Sequence, residues 1–321
     1  MPGVLERYGT VAAGLALIAV FIVVAPNFAT ASNIANVLKD TSFLAILALG
    51  FALALTVAEL DLSVADIASL AAVMVGWLVQ MKLDPGVAVL AALLVAAALG
   101  AINGIGVTVL HVPSLIVTLG TAAIARGFAF MITQGVAFVG RWPTEFTGLA
   151  RGNSLGVPNL VLWMAAVTAF AWALVKWTRT GAHMTATGEA EEAARLSGIA
   201  TARMKRLGLL LSGIMAGLTA VLLAANLSSA APNMAGDYFL YAIAAVLLGM
   251  TMFEPGRPNV PGTVFAALVL KVLGNGLVLL GAAYYIQDIV LGMIIIGSVA
   301  ASTVFTNRPA FANRLNFRLR A

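Results

Sequence analysis

The 321-residue chain is 61% hydrophobic and only 10% charged, where soluble domains carry about 25% charged residues. A soluble fold needs polar side chains to cover its core, so the composition excludes one and reads as an all-α, polytopic membrane protein. The net charge of +5 comes from basic residues gathered in two patches, which set orientation in a membrane and give no sign of a nucleic-acid partner.

A spanning helix needs roughly 20 mostly apolar residues, and about ten such runs follow one another. The first covers residues 10–25 and stops at Pro26-Asn27; no small-residue cleavage site follows it, so it reads as a retained span. The second, 42–58, ends in the acidic stretch Glu59-Leu60-Asp61. The third is 67–81 and the fourth 87–110, closed by the corner His111-Val112-Pro113. The fifth runs to Thr133 and leads into a polar loop, 134–159. The sixth is 160–175, where Trp163 and Trp172, with Trp177 just beyond, read as interface anchors and packing. A polar island, 176–206, carries six of the chain's eighteen Lys and Arg residues. Spans seven to ten follow at 207–227, 238–253, 260–280 and 285–304, with linkers at 228–237 and 254–258. The tail from Arg308 holds four arginines and no acid.

The island follows span six and the tail follows span ten, so both fall on one side. The positive-inside rule makes that side the cytosol, and the N-terminus with it. The island is then a cytosolic loop within a single transmembrane domain, 1–321. An internal repeat is visible. Gly100-Ala101-Ile102-Asn103-Gly104 precedes Leu119-Gly120 at the interval at which Gly274-Asn275-Gly276 precedes Leu291-Gly292. Span four runs inward and span nine outward, so the copies are inverted, as in many transporters.

Ionisable residues beside lipid are expensive and attract functional readings. Glu59, Asp61, Ser63 and Asp66 admit two: a broken helix lining a route, or a solvated turn with Asp61 or Ser63 capping the third span. Glu254-Pro255-Gly256-Arg257-Pro258 reads as a turn in which Glu254 and Arg257 pair. Asn103 and Asn275 read as interhelical hydrogen-bonding amides, and Lys271 as a snorkelling lysine within reach of Asp288. Gly100 with Gly104, and Gly213 with Gly217, are GxxxG pairs that mark close helix crossings. The chain has no cysteine and only two histidines, His111 and His183, far apart in sequence, so neither thiolate chemistry nor a metal site is indicated. It has no Gly-Lys dipeptide, hence no phosphate-binding loop, and no GxSxG or HExxH motif. It reads as a non-enzyme; if ATP drives it, the ATPase is another chain.

Within the island, Glu189-Ala190-Glu191-Glu192-Ala193-Ala194-Arg195-Leu196-Ser197-Gly198-Ile199 is rich in strong helix formers. The spacing predicts a helix of about two to three turns, with Glu189, Glu191 and Glu192 in its first turn and Gly198 as its stop. Either it docks a partner or it merely closes a loop.

The run from Arg179-Thr180-Gly181 through Gly188 to Ile199 resembles the coupling-helix region of ABC importer permeases of the ribose/monosaccharide type, a family with relatives for branched-chain amino acids and nucleosides. Asp61-Leu62-Ser63-Val64, Thr118-Leu119-Gly120-Thr121 with Arg126-Gly127, Leu227-Ser228-Ser229-Ala230 and Ala244-Ala245-Val246-Leu247-Leu248-Gly249 are similar to further family segments in the same order. The chain departs from the pattern where Ala58 and Glu59 replace two glycines, Ala65 replaces another, and Glu189 and Glu191 follow Gly188. The resemblance implies a permease subunit of a bacterial inner-membrane importer, with N- and C-termini cytosolic. It binds no cofactor itself; ATP-Mg belongs to ATPase partners that grip Gly188, Glu189, Ala193, Ala194, Arg195, Leu196, Ser197, Gly198 and Ile199. A second permease copy or homologue completes the path, and a periplasmic binding protein delivers a pentose or hexose. Glu59, Asp61, Ser63, Asn103, Thr118, Thr121 and Asn275 are the polar side chains offered to that path. Alternative readings are another small polar solute, such as a nucleoside or a branched-chain amino acid, and a proton-coupled transporter using Glu59, Asp61 or Asp288.

Overall fold

A computed structural model describes residues 4–154 and 156–306, with side chains over 8–154 and 156–300. The basic tail from Arg308 lies outside the described residues. Helices α1 (Val4–Val24), α2 (Ala31–Thr56), α3 (Val64–Gln80), α4 (Pro85–Thr108) and α5 (Ser114–Thr133) come first. A short helix α6 (Thr144–Arg151) and α7 (Asn159–Trp177) follow, then α8 (Arg179–Glu189) and α9 (Glu191–Leu196) in the island. The chain continues through α10 (Thr201–Leu227), α11 (Tyr238–Gly249), α12 (Val260–Leu279) and α13 (Tyr284–Thr306). Among the described residues, six helices are long and apolar enough to cross a membrane, and four more are shorter and apolar, together matching the predicted spans.

Helix starts follow local chemistry. Asp84 caps α4, its Oδ1 accepting from Gly86 N at 2.8 Å ahead of Pro85 in the first turn. Asn259 caps α12 by accepting from Gly262 N at 2.8 Å. Thr30 caps α2, which therefore begins well before the predicted 42. The added turns carry Asn33, Asn36, Lys39 and Asp40, polar residues that a hydropathy window excludes.

The two halves repeat one plan. In each, a long helix (α2 or α10) ends in an irregular linker (57–63 or 228–237), followed by α3, α4 and α5 or by α11, α12 and α13. The packing repeats too: α10 lies on α4 as α2 lies on α12, α3 on α5 as α11 on α13, and α10 on α3 as α2 on α11. The linker 57–63 sits at the island end of α2. The linker 228–237 starts at the other end, where Phe138 pairs with Ala230 in a two-residue antiparallel bridge. Asn103 bonds into the 57–63 linker, whereas Asn275 exchanges two 2.9 Å amide bonds with Asn33 at the opposite end of α2. The copies are therefore inverted, as the motif spacing predicts.

α2 and α10 form the centre: nearly every residue of Phe43–Ala54 is buried, while α4 exposes Leu90, Leu94 and Ile102. Outward leucines of this kind suit lipid. The GxxxG glycines sit where α4 crosses α10. A Cβ at Gly100 would come 2.6 Å from Leu209 O, and one at Gly213 2.5 Å from Ala96 O. The backbones touch there, and only glycine allows it.

Candidate functional site

The linker 57–63 begins as a Schellman close of α2. Ala58 N donates to Leu55 O at 2.9 Å and Glu59 N to Ala54 O at 3.1 Å, with Ala58 held left-handed at φ 59°. This geometry favours glycine, so Ala58 departs from the family pattern at a position that strains it. Beyond it the linker is braced from α5 and α4. Leu60 N donates to Ser114 Oγ, and Thr118 Oγ1 accepts from Leu62 N and donates to Leu60 O, both at 3.2 Å. Asp61, fully buried, accepts from Ser63 N at 3.0 Å and from the Ser63 hydroxyl, which accepts in turn from Asn103 Nδ2 at 2.9 Å. Burial pushes the Asp61 carboxyl up, and the bonds from Ser63 pull it part of the way back. The Ser212 hydroxyl also draws that pKa down, although no hydrogen bond joins it to Asp61. Asp61 Oδ2, Asn103 Oδ1 and Ser212 Oγ are accordingly buried without a partner among the described residues.

The island is built on this linker. Thr178 caps α8 by accepting from Gly181 N at 3.0 Å. Gly181 and Gly188 are seated against backbone: a Cβ would fall 2.1 Å from Leu174 O and 2.2 Å from Thr56 O respectively. Gly188 thus joins the island to the end of α2 and is not part of the predicted helix 189–199. Glu189 closes α8 rather than opening that helix. Ala190, at φ −156° and ψ 81°, breaks the chain, and α9 starts at Glu191. Propensity is high across the whole run, so the break comes from tertiary packing, which composition does not record. The predicted stop holds: Gly198 N donates to Arg195 O and Ile199 N to Ala194 O, both at 3.0 Å, with Gly198 at φ 84°. Ala194 is buried and Ile199 packs with Leu53, Val57, Met184 and Met204. Ala193, Arg195, Leu196 and Ser197 face outward, and Leu196 is 78% exposed.

Ion pairs tie these parts together. Lys205 of α10 lies 2.8 Å from Glu59 and 2.8 Å from Glu191, so one ammonium connects α9 to the α2 linker. Arg257 pairs with Glu189 at 2.9 Å, and Lys176 pairs with Glu254. The pairing predicted between Glu254 and Arg257 is therefore replaced by one to each neighbouring helix end. Both side chains leave the turn, which Asn259 Nδ2 holds by donating to Gly249 O, Met252 O and Arg257 O. Arg195 pairs with Glu192 at 2.7 Å on the exposed face of α9, which raises the arginine pKa further.

A second polar zone lies inside the bundle. Ala235 N donates to Ser69 Oγ at 3.1 Å, so the linker 228–237 runs in among the helices. Irregular backbone at that depth survives only within protein or along a cavity. Here a cavity of about 470 Å³ is lined by Asn233, Asp237 and Phe239 opposite Asp66, Leu119 and Arg126. Arg126 holds Asp66 through two bonds of 2.9 and 3.0 Å. An adjoining cavity of about 540 Å³ takes in Asp237, Tyr241, Lys271, Gln287 and Asp288. Lys271 stands over the rings of Tyr238 and Tyr241 at 4.6 and 5.1 Å, and makes no ion pair with Asp288.

Of the sequence candidates, Asp61, Ser63, Asn103 and Thr118 converge on one linker, with Glu59 on its island side. Thr121 is buried one turn further along α5, and Asn275 stands apart with Asn33. Sequence reasoning missed Asn233, Asp237 and the partnership of Arg126 with Asp66. Its available signal was an unexplained arginine inside an apolar run.

Two inverted halves, each with a broken segment, and polar cavities where one break passes among the helices define a multi-pass membrane transport protein. The chain belongs to the family described as branched-chain amino acid transport system / permease component, whose model matches residues 33–299. It is 38% identical over 289 residues to the ribose import permease protein of Escherichia coli K12, covering 89% of this chain and 90% of that one. It is 32% identical to the ribose import permease protein of Bacillus subtilis 168, covering 92% of each chain. To the D-allose transport system permease protein of Escherichia coli K12 it is 31% identical, covering 92% and 91%.

Proposed function

We propose that this chain is the transmembrane permease of an ATP-binding-cassette importer for a monosaccharide, a pentose or hexose. The observation that carries the reading is the exposed face of α9, linked through Lys205 to Glu59 at the foot of α2. Similarity to ribose and D-allose permeases over 89% and 92% of this chain supports the solute class. ATPase subunits carrying ATP-Mg hold α9 by Ala193, Arg195, Leu196 and Ser197, while Ala194 and Ile199 root it. A second permease, identical or homologous, completes the path, and a periplasmic binding protein delivers the solute.

The island end is cytosolic because it is basic, in a bacterial inner membrane. Thr251 Oγ1 donates to Thr10 Oγ1 at 3.0 Å and Tyr8 packs on Phe253, which supports a cytosolic start for α1. Movement of the docked ATPases displaces α9. The displacement passes along Lys205 and the Gly188–Thr56 contact to the α2 linker, and the inverted halves rock about the cavities.

Co-reconstitution of the permease with its ATPase and binding protein tests this. Labelled ribose accumulates in proteoliposomes only with ATP inside and is indifferent to a protonophore. Uptake that persists without ATP and collapses with the protonophore overturns the reading in favour of proton coupling.

A further inference from the structure

Half of the island's cations are matched by carboxylates. Glu189 meets Arg257, Glu191 meets Lys205, Glu192 meets Arg195, and Lys176 meets Glu254. Among the described residues, Arg179, Arg203 and Arg206 have no carboxylate within ion-pair distance. All three line one cavity of about 660 Å³ between α8, α4 and the first turns of α10, with His183 beside them. Among the described residues, no Asp or Glu lines it. Three arginines lining one space repel one another, and an anion relieves that repulsion; of the three, Arg206 also donates from Nε to Ala202 O at 3.3 Å.

The remaining wall says which anion. Ala101 and Ile105 of α4 and Leu207 and Leu210 of α10 close the cavity with apolar surface. Leu210 lies about two and a half turns inside α10, so the cavity runs beside the spans rather than beyond their ends. Ile105 is exposed on the same α4 face as Ile102 and Val109. A cationic mouth continuous with an outward apolar stripe suits a molecule with a phosphate and an alkyl chain. Guanidiniums match phosphate oxygens in pairs, and basic residues at this depth attract anionic headgroups.

We propose that this cavity binds an anionic phospholipid, its phosphate held by Arg179, Arg203 and Arg206 and an acyl chain laid along α4. The site is distinct from α9 and from the two polar cavities at Arg126 and Lys271, so a bound lipid fixes the angle between α8 and α10 on which α9 stands.

Native mass spectrometry of the full-length protein, titrated with phosphatidylglycerol or with phosphatidylcholine of the same chains, tests the proposal without reference to transport. Phosphatidylglycerol binds preferentially. R179Q and R203Q each weaken it about fivefold, R203Q/R206Q weakens it further, and K82Q at the opposite end leaves it unchanged. Millimolar inorganic phosphate does not displace it. Equal binding of the two lipids, or unchanged binding by the variants, overturns the proposal. Displacement by inorganic phosphate overturns it in favour of a free-anion site. R179Q lies outside the spans, so the test stands if the α10 double variant fails to fold.

Discussion

Ala58 occupies a left-handed position that costs an L-residue roughly 1–2 kcal/mol, part of which glycine gives back through its freer unfolded chain. Ala58→Gly therefore raises stability by about 0.5–1 kcal/mol, read as a higher midpoint of thermal unfolding in detergent. Asp61 poses the opposite case. Asp61→Ala strips the acceptor from Ser63 N and Oγ and costs about 1–3 kcal/mol. Asp61→Asn keeps an acceptor and removes a buried charge, so it is tolerated. Because burial raises the folded-state pKa of Asp61, its contribution is full below the unfolded value and lost as pH rises through the folded one. Unfolding midpoints followed against pH fall more steeply in the wild type than in Asp61→Asn. The need for glycine at position 58 was readable only by resemblance. The role of Asp61 was readable as a cap, but its burial was not, because three other helices create it.

At the scale of elements, Lys205 is the joint between α9 and the α2 linker. Its own side chain is 17% exposed and that of Glu59 8%, so removing the ammonium leaves a nearly buried carboxylate alone. Lys205→Met costs about 2 kcal/mol, below the 3–5 of a fully buried pair because Glu191 is half exposed. ATP hydrolysis persists in this variant while sugar uptake falls at least about tenfold, and the double variant with Glu59→Gln recovers folding but not coupling. A paired assay of phosphate release and uptake separates the two. The sequence made α9 legible through its helix formers and Gly198. It concealed the break at Ala190, because Ala and Glu favour helix on both sides of it. The partners of Lys205 are 146 and 14 residues away in sequence, beyond any local pattern.

At the scale of the molecule, the number and order of apolar helices were legible because lipid demands long apolar runs. The inverted repeat was legible in two Asn-Gly pairs. The deep course of the 228–237 linker was hidden, because its Ser, Asn and Gly residues look like any surface turn. Gly213 holds the two halves at the close backbone crossing of α4 and α10. Gly213→Leu drives a side chain into the backbone of α4 and prevents assembly, seen as loss of the monodisperse peak in size-exclusion chromatography.

The absence of cysteine gives a direct test of where the ATPase sits. Leu196→Cys and Lys82→Cys each place one thiol on an exposed site, at opposite ends of the bundle. Maleimide labelling is compared with and without the ATPase subunits bound. The thiol at 196 is shielded at least about tenfold by the ATPase, and the thiol at 82 is unaffected, if α9 is the docking element. Equal labelling at 196 in both states contradicts it.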